Sequence, residues 1–138
     1  MAFVLDCSVT MAWVFSDEAN EATDRLRESL IEDSAFVPAL WPIETGNALL
    51  MATRRGRIAR NDWRRIRVAL QALPINIDPV TTDRLWTAVF ELAEENGISV
   101  YDAMYLELAL RLRLPLATLD RELAAAAEAC GVEGPWSA

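Results

Sequence analysis

The chain has no histidine and no lysine; all 13 of its basic residues are arginine. Without imidazole there is no Ser-His-Asp or Cys-His nucleophile, no histidine base, and no zinc or iron site built on His. Without lysine there is no P-loop phosphate grip, no Schiff base and no lysine-dependent phosphoryl site. Cysteine is scarce as well: Cys7 and Cys130 match no close-set metal pattern and read as small buried side chains in a reducing compartment, with no structural disulfide. Glycine and proline number only 5 and 6, and 53% of residues are hydrophobic, which excludes disorder and low-complexity scaffolds. No uncharged apolar stretch reaches the roughly 18 residues of a membrane span, and Asp6 interrupts the first apolar run, so neither a span nor a leader is expected and a cytoplasmic location is. Positive charge is in short supply, giving a net charge of −8, so the surface as a whole repels nucleic acid and anionic membrane. Carboxylate, hydroxyl and bound metal remain as chemical resources.

The 138 residues have room for one domain with one core, spanning 1–138. Phe3 to Cys7 reads as a buried strand with Asp6 at its carboxyl end, followed by a helix for which Ser8 and Thr10 offer N-caps. Helical periodicity then marks 17–32, 42–55, 61–73 and 81–96, the second of these opening at Pro42 so that Glu44 falls in its first turn. Short strands are expected at 35–37, 75–77 and 114–118, and Val132 offers the start of a last one. Asp102 opens one further helix and Asp120 another that runs through Glu128. Short apolar strands alternating with helices predict an α/β protein in three layers, α/β/α, around a parallel sheet.

Asp6, Glu44, Asp102 and Asp120 each follow an apolar or turn segment and stand at or near the start of a helix. In a parallel sheet all such positions lie along one edge, so four acids spread through the chain can converge in a pocket at the carboxyl ends of the strands. Converging carboxylates repel one another, and a hard divalent cation with oxygen ligands, Mg²⁺ or Mn²⁺, relieves that repulsion. Such a site suits phosphodiester hydrolysis. Taken singly, Asp102 and Asp120 read as helix caps.

The stretches FVLDCSVTMAW (3–13), VPALWPIETGNALL (37–50), SVYDAMYLELA (99–109) and LATLDREL (116–123) resemble, in order and over nearly the whole chain, the PIN-domain ribonucleases of the VapC toxin class. The resemblance implies Mg²⁺- or Mn²⁺-dependent endonucleolytic cleavage of RNA. By matching position it implies Asp6 and Asp102 as principal metal ligands, Glu44 as the third acid and Asp120 as the fourth. Thr118 and Asn47 would support them from behind. It further implies a homodimer and a cognate VapB-type antitoxin whose C-terminal segment lies across the pocket.

Arg54, Arg55, Arg57, Arg60, Arg64, Arg65 and Arg67 stand against a single aspartate, a local surplus of positive charge in an acidic chain. This cluster is either an RNA guide working through Arg–phosphate bonds or a solvated helix exterior. Trp13, Phe15, Trp41 and Trp86 add apolar surface that a small core hides with difficulty and a partner would cover. A phosphoacceptor domain and a haloacid-dehalogenase-type phosphatase both need the missing lysine. The remaining alternative is a PIN-like module that binds RNA or protein without cutting.

Overall fold

The computed structural model describes residues 2–135. Four strands, β1 (Phe3–Leu5), β2 (Ala35–Pro38), β3 (Ile75–Asp78) and β4 (Leu116–Ala117), form one parallel sheet in the order β3-β2-β1-β4. The register pairs Phe3 with Ala35, Val4 with Leu116, and Val37 with Ile77. Every residue of β1 is buried although neighbouring side chains point to opposite faces, so both faces of the central strand are covered. The expected α/β architecture with a parallel sheet is therefore present. The core gathers Phe3, Leu5, Val37, Tyr105, Leu106 and Leu123 around the sheet.

Helices α1 (Cys7–Val14), α2 (Glu21–Ser29), α3 (Leu40–Arg54), α4 (Trp63–Gln71), α5 (Thr82–Arg84), α6 (Phe90–Asn96), α7 (Val100–Leu112) and α8 (Arg121–Ala129) supply the covering layers, with a π-type turn over Leu85–Val89 joining α5 to α6. Several expectations need correction. Helix α1 begins one residue after Asp6, so Ser8 and Thr10 lie inside it; the Asp6 carbonyl accepts from Val9 and Thr10 N–H instead. Helix α2 is shorter than 17–32, because a reciprocal cap between Asn20 and Thr23 fixes its start at Glu21. Helix α3 starts at Leu40, ahead of Pro42, which moves Glu44 into the second turn. Ser99, not Asp102, caps α7, its Oγ accepting from the Asp102 N–H at 3.0 Å. Strand β4 is limited to two residues, and no strand forms at Val132, although Leu116 N–H donates to the Glu133 carbonyl alongside it.

Of the four aromatics, Phe15 and Trp41 are buried and Trp13 is half-buried with its indole N–H on the Thr23 carbonyl, while Trp86 is 72% exposed. Both cysteines are free and half-buried rather than fully enclosed; burial pushes the Cys7 thiol up to about 12. Among the described residues no helix is long and apolar enough to cross a membrane.

Candidate active site

The parallel arrangement brings the end of β1, the second turn of α3, the first turn of α7 and the start of α8 to one edge of the sheet. Asp6 occupies the position just beyond β1 and is only 6% exposed. It cannot sit there unpartnered, and two hydroxyls donate to its Oδ2: Ser8 at 2.6 Å and Thr118 at 2.8 Å. Thr118 Oγ1 in turn accepts the Asp120 N–H at 3.0 Å, and Ser8 Oγ accepts the Leu119 N–H at 2.9 Å. The 118–120 turn after β4 is thereby tied to the turn after β1, and Asp6 is held from both sides. Asp120 caps α8, its Oδ1 accepting from Leu123 N–H at 3.0 Å. Glu44 accepts from the Tyr105 hydroxyl at 2.5 Å. Asp102 differs from these three: its carboxylate accepts no hydrogen bond among the described residues.

The electrostatics record the same convergence. Burial raises Asp6 above the ordinary carboxylate range against the opposing effect of its two hydroxyl donors. Glu44 is raised by burial, with Asp6 and Asp102 adding repulsion that the Tyr105 hydrogen bond offsets in part. Asp102 is pushed up to about 6 by burial and by the negative charges of Asp120, Asp6 and Glu122. Glu44 and Asp102 thus sense the other acids of the sheet edge. Glu122, in the first turn of α8, joins them unexpectedly. Even so, among the described residues no three Cys, Asp or Glu side chains are drawn together closely enough to chelate an ion as a group. This set of oxygens suits a cation that keeps much of its water and takes one or two carboxylates, as Mg²⁺ characteristically does.

Sequence reasoning missed Ser8 as a partner of Asp6 and missed Tyr105 altogether. A signal for each was present: Ser8 lies two residues beyond Asp6, and Tyr105 lies one helical turn beyond Asp102. Thr118, expected behind the acids, donates to Asp6 Oδ2. Asn47 is exposed and its side chain reaches none of the four acids among the described residues. A cleft of about 340 Å³ opens beside the site, with Thr118 and Asp120 on one wall and Asn20 and Arg121 on others.

The arginine cluster divides. Arg57 is committed to Asp17 and Glu18, both at 3.0 Å, and lies 4.0 Å above the Phe15 ring. Arg65 makes an exposed contact with Asp62 at 3.4 Å. Arg60, Arg64 and Arg67 rim a groove of about 1020 Å³ between α3 and α4, floored by Trp41, Leu49 and Trp63 and reaching Thr45, the neighbour of Glu44. Arg54 and Arg55 are exposed at the far end of α3.

The PIN domain family model matches residues 3–129. Ribonuclease VapC1 of Mycobacterium tuberculosis is 34% identical over 125 residues, covering 88% of this chain and 90% of that protein. Ribonuclease VapC3 of Pyrobaculum aerophilum is 28% identical over 124 residues, covering 90% and 93%. The crystal structure of PAE2754 from Pyrobaculum aerophilum superposes with a TM-score of 0.67 at 26% identity, covering 97% of this chain and 83% of that one. With a matched sheet and helices, and relatives aligned along almost its whole length, the chain belongs to the PIN-domain family.

Proposed function

We propose that residues 1–138 form a single PIN-like domain acting as a Mg²⁺- or Mn²⁺-dependent endoribonuclease, the toxin of a VapBC-type pair. The observation that carries this reading is the repulsion that Asp6 and Asp102 exert on Glu44, and that Asp120, Asp6 and Glu122 exert on Asp102. Repulsion of this kind has no structural benefit and is relieved by a cation. The two relatives named as ribonucleases support RNA as substrate.

Asp6 and Asp102 are the residues that would hold the ion, with Glu44 and Asp120 reaching it directly or through its water. When bound, the ion supplies charge neutralisation at the scissile phosphate and a more acidic water. Ser8 and Thr118 keep the Asp6 carboxylate in one orientation. Glu44 or Asp120 orients the attacking water and takes its proton. Arg64 and Arg67 are placed to neutralise backbone phosphates along the groove leading toward Glu44. The same arginine-rimmed apolar groove suits an amphipathic segment of a VapB-type antitoxin, and the resemblance supports a homodimer in a cytoplasmic setting.

A circular RNA substrate tests the reaction. Fragments that form with Mg²⁺ or Mn²⁺ and vanish with EDTA are the expected result, because a circle offers no ends and only internal cleavage opens it. Tight RNA binding with no cleavage under either metal would favour the non-catalytic module instead.

A further inference from the structure

We infer that Tyr105 is a positioning residue for the site, fixing one oxygen of the Glu44 carboxylate so that the other alone is left for a cation or its bound water. This deepens the metal-dependent reading above and rests on it. Each of the other capped acids is held by a group on the edge itself: Asp6 by two hydroxyls beside it, and Asp120 by the amide of its own helix. Glu44 has one more rotatable bond than an aspartate and stands on α3, and its hydrogen bond comes from a different helix, α7. The Tyr105 side chain is fully buried in the main core cluster alongside Phe3, Leu5 and Val9. Its ring therefore has no freedom, and its hydroxyl is a fixed post. The 2.5 Å separation from Glu44 Oε1 is that of a charge-assisted O–H···O⁻ bond, the short and strong class.

Two hydrogen bonds tie α3 to its neighbours at this edge. Trp41, one turn before Glu44, is buried and donates its indole N–H to Thr10 Oγ1 at 2.9 Å, tying α3 to α1. Tyr105 ties the next turn of α3 to α7, one turn after Asp102. Asp102 and Glu44 are thus registered against each other through a buried phenol. An ordinary core phenol would need only some acceptor; here the acceptor is a member of the acidic set.

Titrating Mn²⁺ into the intact chain by calorimetry tests the inference without requiring turnover. Tyr105→Phe keeps the ring and removes the hydroxyl. Partners standing behind metal ligands typically cost 10–100-fold in affinity when removed, so Mn²⁺ binding should weaken about tenfold. Glu44→Gln should weaken it comparably, and the double variant should be no weaker than the more affected single one. Glu44→Asp, which keeps the charge but withdraws the oxygen from the phenol, should match Tyr105→Phe, and it covers the case in which the phenylalanine variant folds poorly. Mn²⁺ affinity within twofold of wild type in Tyr105→Phe or in Glu44→Asp would overturn the inference. So would losses that multiply in the double variant. A wild-type chain that takes up no Mn²⁺ would instead remove the metal-dependent reading, and this inference with it.

Discussion

Asp102→Asn should stabilise the metal-free protein while destroying its activity. Asp102 is half-buried, accepts no hydrogen bond among the described residues, and is pushed from an ordinary 3.8 up to about 6 by burial and by its acidic neighbours. A folded pKa above the unfolded one means that ionisation opposes folding. The penalty is absent below about 3.8 and fully present above about 6. Taken whole, a rise of this size corresponds to about 3 kcal/mol; water and salt around a half-exposed carboxyl reduce that to ~1 kcal/mol. For a chain of this length ~1 kcal/mol raises Tm by about 4 °C. Calorimetric melting in EDTA should therefore show the variant more stable than wild type near pH 7.5, with the gap closing toward pH 4.5. Added Mn²⁺ should reverse the order, since only wild type retains the full set of ligands. An Asp102→Asn protein less stable than wild type at pH 7.5 without metal, or a gap that ignores pH, would refute the electrostatic account of the site.

Asp6→Asn should abolish RNA cleavage while far-UV circular dichroism stays native, because the amide oxygen still accepts from Ser8 and Thr118 but the charge is gone. Arg57→Ala should leave RNA affinity unchanged and lower stability only slightly in urea denaturation, since its guanidinium is engaged with exposed Asp17 and Glu18. Arg64→Glu with Arg67→Glu should weaken RNA binding and flatten its dependence on salt, as measured by fluorescence anisotropy. Glu107→Ala should cost ~3 kcal/mol in the same denaturation assay: this side chain is buried and takes hydrogen bonds from Arg84 and Arg111, the latter also bound to Asp78 at the end of β3.

The acids were legible in the sequence because each stands at or near the start of a helix, and a parallel sheet sends such positions to one edge. Strands β2, β3 and β4 were legible as short apolar runs with Pro38, Pro74 and Pro115 at their edges, and β1 as an apolar run ended by Asp6. Helix starts were less so. Leu40 and Trp41 precede Pro42 in α3, and nothing in their chemistry announces a helix; the residue before a proline is ordinarily steered away from helical geometry. Ser8 looked like a cap because serine usually caps, whereas here the helix begins ahead of it and its hydroxyl donates to the Asp6 carboxylate. Tyr105 was invisible for a different reason: a tyrosine within an apolar helix reads as core, and only the fold reveals that its hydroxyl emerges beside Glu44. The division of the arginines was equally unreadable, since the partners of Arg57 lie 40 and 39 residues away.

The claim beneath all of this is that the carboxylates at the sheet edge gather around a hard cation. A crystal soaked in manganese, with anomalous scattering recorded above the metal's absorption edge, tests it most directly. The account predicts a peak bounded by the Asp6 and Asp102 carboxylates, with Glu44 and Asp120 ligating it directly or through water. A clean anomalous map at that edge under saturating manganese, or a peak bound only elsewhere on the molecule, would contradict it.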